Sequence, residues 1–204
     1  MSTRHGGKIL VDQLAIQGCE AVFLVPGESY LAALDGLADH PEIKTIICRQ
    51  EGGAAMMAEA YGKMTGRPGV AMVTRGPGAT NASPGVHIAM QDSTPMIMLV
   101  GQVGRDAIDR EAFQEINYRQ MFSPIAKWVG QIEQTERIPE YMSHAYHRAA
   151  SGRPGPVVLS APEDVLSDTA DVVDVPAARP ATASHVMATI PAQSRCSLLA
   201  SFAK

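Results

Sequence analysis

The feature that most constrains the fold is a repeating alternation of short apolar runs with longer segments of helical period. Apolar runs occur at residues 21–25, 43–48, 70–74, 96–100, 125–129 and 157–160, and segments of helical character at residues 8–17, 29–38, 50–65, 81–90 and 135–150. Strands that are apolar throughout are typical of parallel sheets covered on both faces. The sequence therefore predicts an α/β fold: a doubly wound, mainly parallel sheet of about six strands with helices on both faces.

Cap residues predict where several helices begin and end. Gly18 follows the first helical segment, in the place of a C-terminal cap. Asn81 and Thr135 are residue types that cap helix N-termini, and each stands at the start of a helical segment. Residues 76–81 are accordingly expected to form a loop that leads into a helix.

Charge and composition exclude several classes of function. The chain has 204 residues and a net charge of −4, so it has no basic field that could hold a nucleic acid backbone. No apolar run approaches the roughly 20 residues of a membrane span. The first eight residues lack the apolar core of a secretory signal, and Cys19, Cys48 and Cys196 lie far apart. We therefore expect a cytoplasmic protein that binds neither nucleic acid nor membrane.

The composition changes near the end of the sequence. Asp174 is the last acidic residue, and residues 176–184 are rich in proline and alanine, as linkers are. Residues 185–204 show no capped amphipathic pattern. This end is interpretable as a linker toward a further domain, as a reading frame that shifted near residue 181, or as a frayed tail.

Three loops follow predicted parallel strands, at the sheet edge where open α/β folds bind ligands. One contains Pro26 and Gly27, the next leads to Glu51, and the third is residues 76–81. Glu51 opens a helix, so the helix dipole alone could explain an acid there. The third loop matches no phosphate-binding fingerprint, and its glycines are also suited to a simple tight turn.

Other chemistry-bearing residues have structural explanations. Ser29 lies in a segment that lacks the last glycine of a nucleophile elbow, so we do not expect a nucleophile there. His144 and His147 lie three residues apart with no evident third ligand, which favours a solvated pair over a metal site. Three methionines of the third predicted helix are expected in the core or in an interface: Met56, Met57 and Met64.

Together these segments resemble the N-terminal pyrimidine-binding domain of thiamine-diphosphate-dependent enzymes, in the acetolactate synthase-like branch. The resemblance covers roughly residues 5–170, and we assign residues 1–175 to this domain and residues 176–204 to the linker and tail. The matching motifs include Phe23-Leu24-Val25-Pro26-Gly27-Glu28, Arg49-Gln50-Glu51, Gly76-Pro77-Gly78-Ala79-Thr80-Asn81, Gly101-Gln102, Phe113-Gln114-Glu115 and Pro162-Glu163-Asp164-Val165.

The resemblance implies a catalytic role for Glu51. Its carboxylate would hydrogen-bond the pyrimidine ring nitrogen of thiamine diphosphate and favour the tautomer that takes the thiazolium C2 proton. It further implies two sets of binding residues. The cofactor would be bordered by Pro26, Gly27, Glu51, Thr74, Pro77 and Asn81, and the substrate side would be faced by Phe113 and Gln114.

The resemblance also implies parts that this sequence lacks. Family members hold Mg²⁺ and the diphosphate in a separate domain marked by Gly-Asp-Gly, which does not occur here. FAD, where used, belongs to a middle domain that is likewise absent. We therefore expect no metal ligands in this chain, a site completed by a homodimer or by a diphosphate-domain partner chain, and a 2-oxoacid such as pyruvate as substrate.

Two residues depart from the family pattern: Gln50 stands where a histidine is frequent, and Arg75 where a small residue is frequent. Three interpretations stay open. The chain is a truncated acetolactate synthase-like decarboxylase or carboligase, inactive alone. Alternatively, it is the α subunit of a two-chain decarboxylase of the sulfopyruvate or phosphonopyruvate type. The third interpretation is a nucleotide-binding or regulatory module without catalytic activity.

Overall fold

The computed structural model describes residues 3–177, so the assigned tail beyond residue 177 lies outside the described residues. The strands are β1 (Arg4–His5), β2 (Ala21–Leu24), β3 (Lys44–Ile47), β4 (Gly69–Val73), β5 (Met96–Gln102), β6 (Trp128–Gln131), β7 (Pro156–Pro162) and β8 (Thr169–Ala170). The helices are α1 (Gly6–Ile16), α2 (Leu31–Ala38), α3 (Glu51–Thr65), α4 (Pro77–Asp92), α5 (Tyr118–Phe122), α6 (Ile138–Ala150) and α7 (Glu163–Ser167).

Six strands form one parallel sheet in the order β3-β2-β4-β5-β7-β6. The chain runs from β2 outward to β3 and then returns to β4 on the other side of β2. The connections therefore reverse direction between β2 and β4, which is the kind of position where open α/β sheets bind ligands. β1 and β8 form a separate antiparallel pair of two residues each, too short to leave a pattern in the sequence.

The sheet separates two apolar cores, because successive side chains of a strand point to opposite faces. Val22 and Leu24 of β2 belong to the core formed with α1, α2, α6 and α7. Ala21 and Phe23 belong to the core formed with α3, α4 and α5. This arrangement confirms the predicted doubly wound α/β fold with helices on both faces.

Two predicted helix starts are wrong. α4 begins at Pro77 with Gly76 as its N-cap, so Asn81 lies inside the helix. Proline suits the first helical turn because it lacks only an N–H that would have no helical partner. Thr135 begins a short 3₁₀ turn and donates its hydroxyl proton to the Val165 carbonyl (2.9 Å), so it does not cap α6. Gly18 has a φ of 77°, as expected for a glycine that ends a helix.

The predicted strand at residues 125–129 is displaced. The structure places β6 at Trp128–Gln131. The Ile125 amide donates to the Phe122 carbonyl (2.9 Å), in the turn that follows α5, and pairing with the sheet begins at the Lys127 amide. The apolar side chain of Ile125 lies in this turn, and for that reason the sequence predicted a strand that begins three residues too early.

The α3 methionines are not in the core. Met56, Met57 and Met64 are 45%, 47% and 86% exposed, so the core interpretation is wrong and only the interface interpretation remains. The buried face of α3 consists of small residues instead, including Ala54 and Ala55. No helix within residues 3–177 is long and apolar enough to cross a membrane.

Candidate functional site

The loops after β2 and β4 touch at the carboxyl edge of the sheet. A Cβ atom on Gly27 would lie 2.4 Å from Thr74 Cβ, so only glycine permits this approach. The Thr74 hydroxyl is 2.8 Å from the Ser29 hydroxyl, and the Arg75 amide donates to the same Ser29 oxygen (3.2 Å). Ser29 is fully buried. Packing of Gly27 and the hydrogen bonds of Ser29 therefore hold the loop after β2 against Thr74, the residue that follows β4.

Glu51 lies at the N-terminus of α3, beside the start of α4. The Gln50 side chain caps α3 by accepting a hydrogen bond from the Gly53 amide (2.9 Å). This gives a structural role to the glutamine that stands in place of the family's histidine. Asn81 Nδ2 donates to Glu51 Oε2 (3.1 Å). The carboxylate is thus held by a side chain from the second turn of α4.

The start of α4 brings the remaining residues of the third loop to the same edge. Gly76 has a φ of 60°, and its amide donates to the Tyr118 hydroxyl (2.9 Å). A Cβ on Gly78 would lie 2.8 Å from Thr74 Cγ2 and 3.6 Å from Glu51 Oε1. Pro77, between these glycines, is the first residue of the helix.

The two residues expected on the substrate side lie on the loop between β5 and α5. Gln114 meets the α4 start, because a Cβ on Gly76 would lie only 2.6 Å from Gln114 Cβ. Phe113 is 75% exposed. The structure therefore gathers Gly27, Glu51, Thr74 and their neighbours with Gln114, while Phe113 stands on the outer surface of its loop.

Two buried tyrosines support the edge. The Tyr30 hydroxyl donates to the Val25 carbonyl, just before the Pro26–Gly27 turn. Burial raises the pKa of Tyr30, with a further contribution from the Glu51 charge, and burial also raises the pKa of Tyr118. Both phenols therefore stay protonated at neutral pH and serve as fixed hydrogen-bonding groups.

Arg75 crosses the sheet edge toward the end of β7. Its Nη1 atom lies 2.8 Å from a carboxylate oxygen of Glu163, the first residue of α7. Its Nε atom is buried and has no hydrogen-bond partner among the described residues. The residue that departs from the family pattern thus ties α7 to the turn before α4.

The two histidines of α6 do not form a metal site with other described residues. His144 stacks on Trp128 with 4.4 Å between ring centroids and accepts a hydrogen bond from Arg148 Nε (2.8 Å). That bond occupies the lone pair of His144 Nε2. Within residues 3–177 no three histidine, cysteine or carboxylate side chains gather in a way that could hold a metal ion.

Sequence reasoning missed the residues that support the site, above all Ser29 and Tyr118. The sequence around Ser29 indicates only an incomplete nucleophile elbow, and the sequence around Tyr118 carries no functional signal. Their partners Thr74 and Gly76 lie more than 40 positions away in the chain, a separation that periodicity and cap signals do not register.

Comparison with known proteins found a matching family and several similar relatives. The family model described as "Thiamine pyrophosphate enzyme, N-terminal TPP binding domain" matches residues 4–121; thiamine pyrophosphate is another name for thiamine diphosphate. The acetolactate synthase large subunit of Lactococcus lactis is 39% identical over 83% of this chain and 29% of its own length. The isozyme 3 large subunit of the Escherichia coli acetolactate synthase is 40% identical over 82% and 29%.

A more distant organism supplies a similar match. The probable acetolactate synthase large subunit of Methanocaldococcus jannaschii is 37% identical over 88% of this chain and 32% of its own length. The chain thus spans about a third of the length of these relatives. Since the family model covers more than half of the sequence, the chain belongs to the thiamine pyrophosphate enzymes and contains their N-terminal cofactor-binding domain.

Proposed function

We propose that this chain forms the pyrimidine-binding part of the active site in an acetolactate synthase-like enzyme, which decarboxylates a 2-oxoacid such as pyruvate and transfers the remaining fragment. The observation that carries the proposal is the Glu51 carboxylate, which accepts a hydrogen bond from Asn81 (3.1 Å) near the edge where the strand connections reverse direction between β2 and β4. The acetolactate synthase names of the relatives support the choice of reaction.

The residues at this edge fit a flat heteroaromatic ring. Gly27 and Gly78 both lack a Cβ atom where Thr74 packs against them, so the loop after β2 and the start of α4 come together around Thr74, beside Glu51. Asn81 engages Glu51 Oε2, and no hydrogen bond within residues 3–177 engages Oε1. One carboxylate oxygen is therefore available to a ring nitrogen.

In the proposed mechanism Glu51 Oε1 would share a proton with the pyrimidine ring nitrogen, while Asn81 keeps the carboxylate in place. The ring would be bordered by Pro26, Gly27, Thr74 and Pro77. The 2-oxoacid would be faced by Phe113 and Gln114. Thiamine diphosphate, when bound, supplies the nucleophilic carbon and the electron sink for this carbon–carbon chemistry.

The rest of the proposed enzyme lies outside the described residues. We propose that other domains, in a homodimer or in a partner chain, hold the diphosphate and Mg²⁺, and FAD if it is used. The match to about a third of each relative supports this division. We also propose a cytoplasmic location, which suits the free thiols of Cys19 and Cys48.

The test is Glu51→Gln in the complete enzyme that contains this chain, with pyruvate, thiamine diphosphate and Mg²⁺. The glutamine retains the shape of the side chain but cannot share a proton, so we expect turnover to fall by about 100-fold or more. Glu136→Gln is the matched control, since it makes the same chemical change at an exposed residue of the turn before α6.

One comparison of turnover rates would overturn the proposal. If Glu51→Gln turns over pyruvate as fast as Glu136→Gln, Glu51 is not the proton-sharing carboxylate. Isothermal calorimetry with thiamine diphosphate and Mg²⁺ then shows whether the variant still binds cofactor.

A further inference from the structure

We propose that Glu115 is a positioning residue, whose carboxylate holds the loop between β5 and α5 in the shape that presents Phe113 and Gln114 to substrate. The loop comprises residues 103–117. The inference rests on the proposed function, because it takes Phe113 and Gln114 to face the 2-oxoacid. It adds a residue to which neither the family resemblance nor the comparisons give a role.

The first observation is the backbone of this loop. Three residues that are not glycine have left-handed φ values: 62° at Asp109, 53° at Glu111 and 65° at Gln114. Residues with a Cβ atom avoid this region because the side chain crowds the backbone. Such conformations persist only where surrounding interactions impose them. An interaction with this loop must therefore hold its backbone in the left-handed conformations.

The Glu115 carboxylate supplies that interaction. One of its oxygens accepts a hydrogen bond from the Asp109 amide (2.7 Å) and the other from the Ala112 amide (3.0 Å). The Glu115 amide in turn donates to the Ala112 carbonyl (2.9 Å). These bonds to backbone amides lower the pKa of Glu115, so the group is ionised at neutral pH and its hydrogen bonds are charge-assisted.

The base of the loop is fixed separately, which leaves its middle to Glu115. The Gln102 side chain donates to the Ile116 carbonyl (2.9 Å) and accepts from the Val103 amide (3.0 Å). Tyr118 accepts from the Gly76 amide at the far end. Between these anchors, only the Glu115 carboxylate makes side-chain hydrogen bonds to the backbone of residues 108–114 among the described residues.

The loop shape decides where Gln114 lies. Gln114 is itself left-handed, and it packs against the backbone of Gly76, next to the first residue of α4. If Glu115 released the Asp109 and Ala112 amides, the strained residues would relax toward ordinary φ values. Gln114 would then shift away from the edge that holds Glu51 and Thr74, and the neighbouring Phe113 would change its position on the loop surface. The residues on the other two loops would stay in place.

The first experiment measures the loop itself by amide hydrogen exchange in the full chain. Glu115→Ala removes both hydrogen bonds, and we expect amide protection of residues 108–114 to fall about tenfold or more. Glu115→Gln keeps one acceptor and should give an intermediate loss. Glu111→Gln is the matched control: it removes the same charge from the same loop, at an exposed side chain with no hydrogen bond to the described residues.

The second experiment uses the complete enzyme with pyruvate, thiamine diphosphate and Mg²⁺. We expect kcat/KM to fall between about tenfold and 100-fold in Glu115→Ala and less in Glu115→Gln, because displaced substrate-side residues misplace the reacting groups. The affinity for thiamine diphosphate and the Tm should stay close to those of the Glu111→Gln control. A residue with a merely structural role would lower all three together.

Any of three results for Glu115→Ala would overturn the inference: unchanged amide protection, unchanged kcat/KM, or a loss of cofactor affinity parallel to the loss of kcat/KM. Glu51→Gln separates this failure from failure of the proposed function. If Glu51→Gln abolishes turnover and Glu115→Ala does not, the function stands and the positioning role falls. If neither variant affects turnover, the proposed function itself is wrong.

Discussion

Gly27 is a residue at which the site leaves no room for a side chain. Its φ of −152° is ordinary extended backbone, so any cost of a side chain there comes from space alone. The space is occupied by Thr74, whose Cβ would lie 2.4 Å from an alanine Cβ. Because Thr74 is also bonded to the buried Ser29, it cannot move aside without breaking that contact.

We expect Gly27→Ala to lower the free energy of unfolding by about 1–3 kcal/mol. We also expect it to weaken thiamine diphosphate binding by about tenfold or more. Urea denaturation of the chain and calorimetry of the complete enzyme measure the two effects. Gly18→Ala is the control, since its Cβ would meet nothing within 4 Å while its φ of 77° still makes alanine costly. Equal binding by the two variants would contradict the role assigned to Gly27.

Glu51 shows how far residue-level reasoning on the sequence reaches. Its place at the start of a helix after an apolar strand could be predicted, and the resemblance suggested its role. Its contact with Asn81 could not, because the sequence predicted Asn81 as a helix cap. The contact exists only because α4 begins four residues earlier, at Pro77, and so places Asn81 on the second turn.

Helices α3 and α4 pack through small residues, and this packing sets the distance between Glu51 on α3 and Asn81 on α4. A Cβ on Gly85 of α4 would lie 2.6 Å from Ala55 Cβ and 2.7 Å from the Ala55 carbonyl carbon. Glu51 and Asn81 lie toward the N-terminal ends of these helices. A change in helix separation is therefore transmitted to their hydrogen bond.

We expect Gly85→Ala to lower the free energy of unfolding by about 1–2 kcal/mol. The added methyl group forces the helices apart, and the energetic cost of that separation exceeds the gain in helix propensity from glycine to alanine. Gly53→Ala, in α3, is the control. No atom lies within 4 Å of its Cβ position, so the substitution should stabilise the chain by up to about 1 kcal/mol. Denaturant titration of both variants checks the prediction, and a stabilising Gly85→Ala would refute it.

Elements buried on both faces were predictable, and those defined by local turns were not. The runs at residues 70–74 and 96–100 became β4 and β5 because central parallel strands are apolar throughout. β6 was displaced because Ile125 belongs to the turn after α5. The core interpretation of the α3 methionines was wrong because the buried face of α3 needs alanines to admit α4, a demand that the sequence of α3 alone does not reveal.

At the scale of the whole molecule, a group of charges fastens the end of the described chain to its beginning. Arg4 of β1 forms ion pairs with Asp12 of α1 and with Asp174, four residues beyond β8. Asp12 also lies 2.7 Å from His40 Nε2, and Glu42 lies 2.7 Å from His40 Nδ1. His40 therefore joins the end of α2 to this group.

The pKa of His40 is raised above its ordinary value of 6.5. Burial alone would lower it, but the hydrogen bonds to Glu42 and Asp12 outweigh that effect. The folded chain thus binds the His40 proton more tightly than the unfolded chain does. The resulting stability is fully present below about pH 6.5 and is lost as the pH rises through the folded pKa.

We expect the free energy of unfolding to decline as the pH rises above about 6.5, by less than about 1 kcal/mol because these ion pairs are part-exposed. His40→Asn should remove this decline in urea titrations across that range. Burial raises the pKa of the Cys19 thiol from its ordinary value of 9.0 to about 11, so the Cys19 contribution to the decline begins only as the pH approaches 9. His144→Asn is the control: burial lowers the pKa of His144, so its contribution is lost only as the pH falls below about 6.5. A decline that survives in His40→Asn would show that some other group controls the stability of this end of the chain.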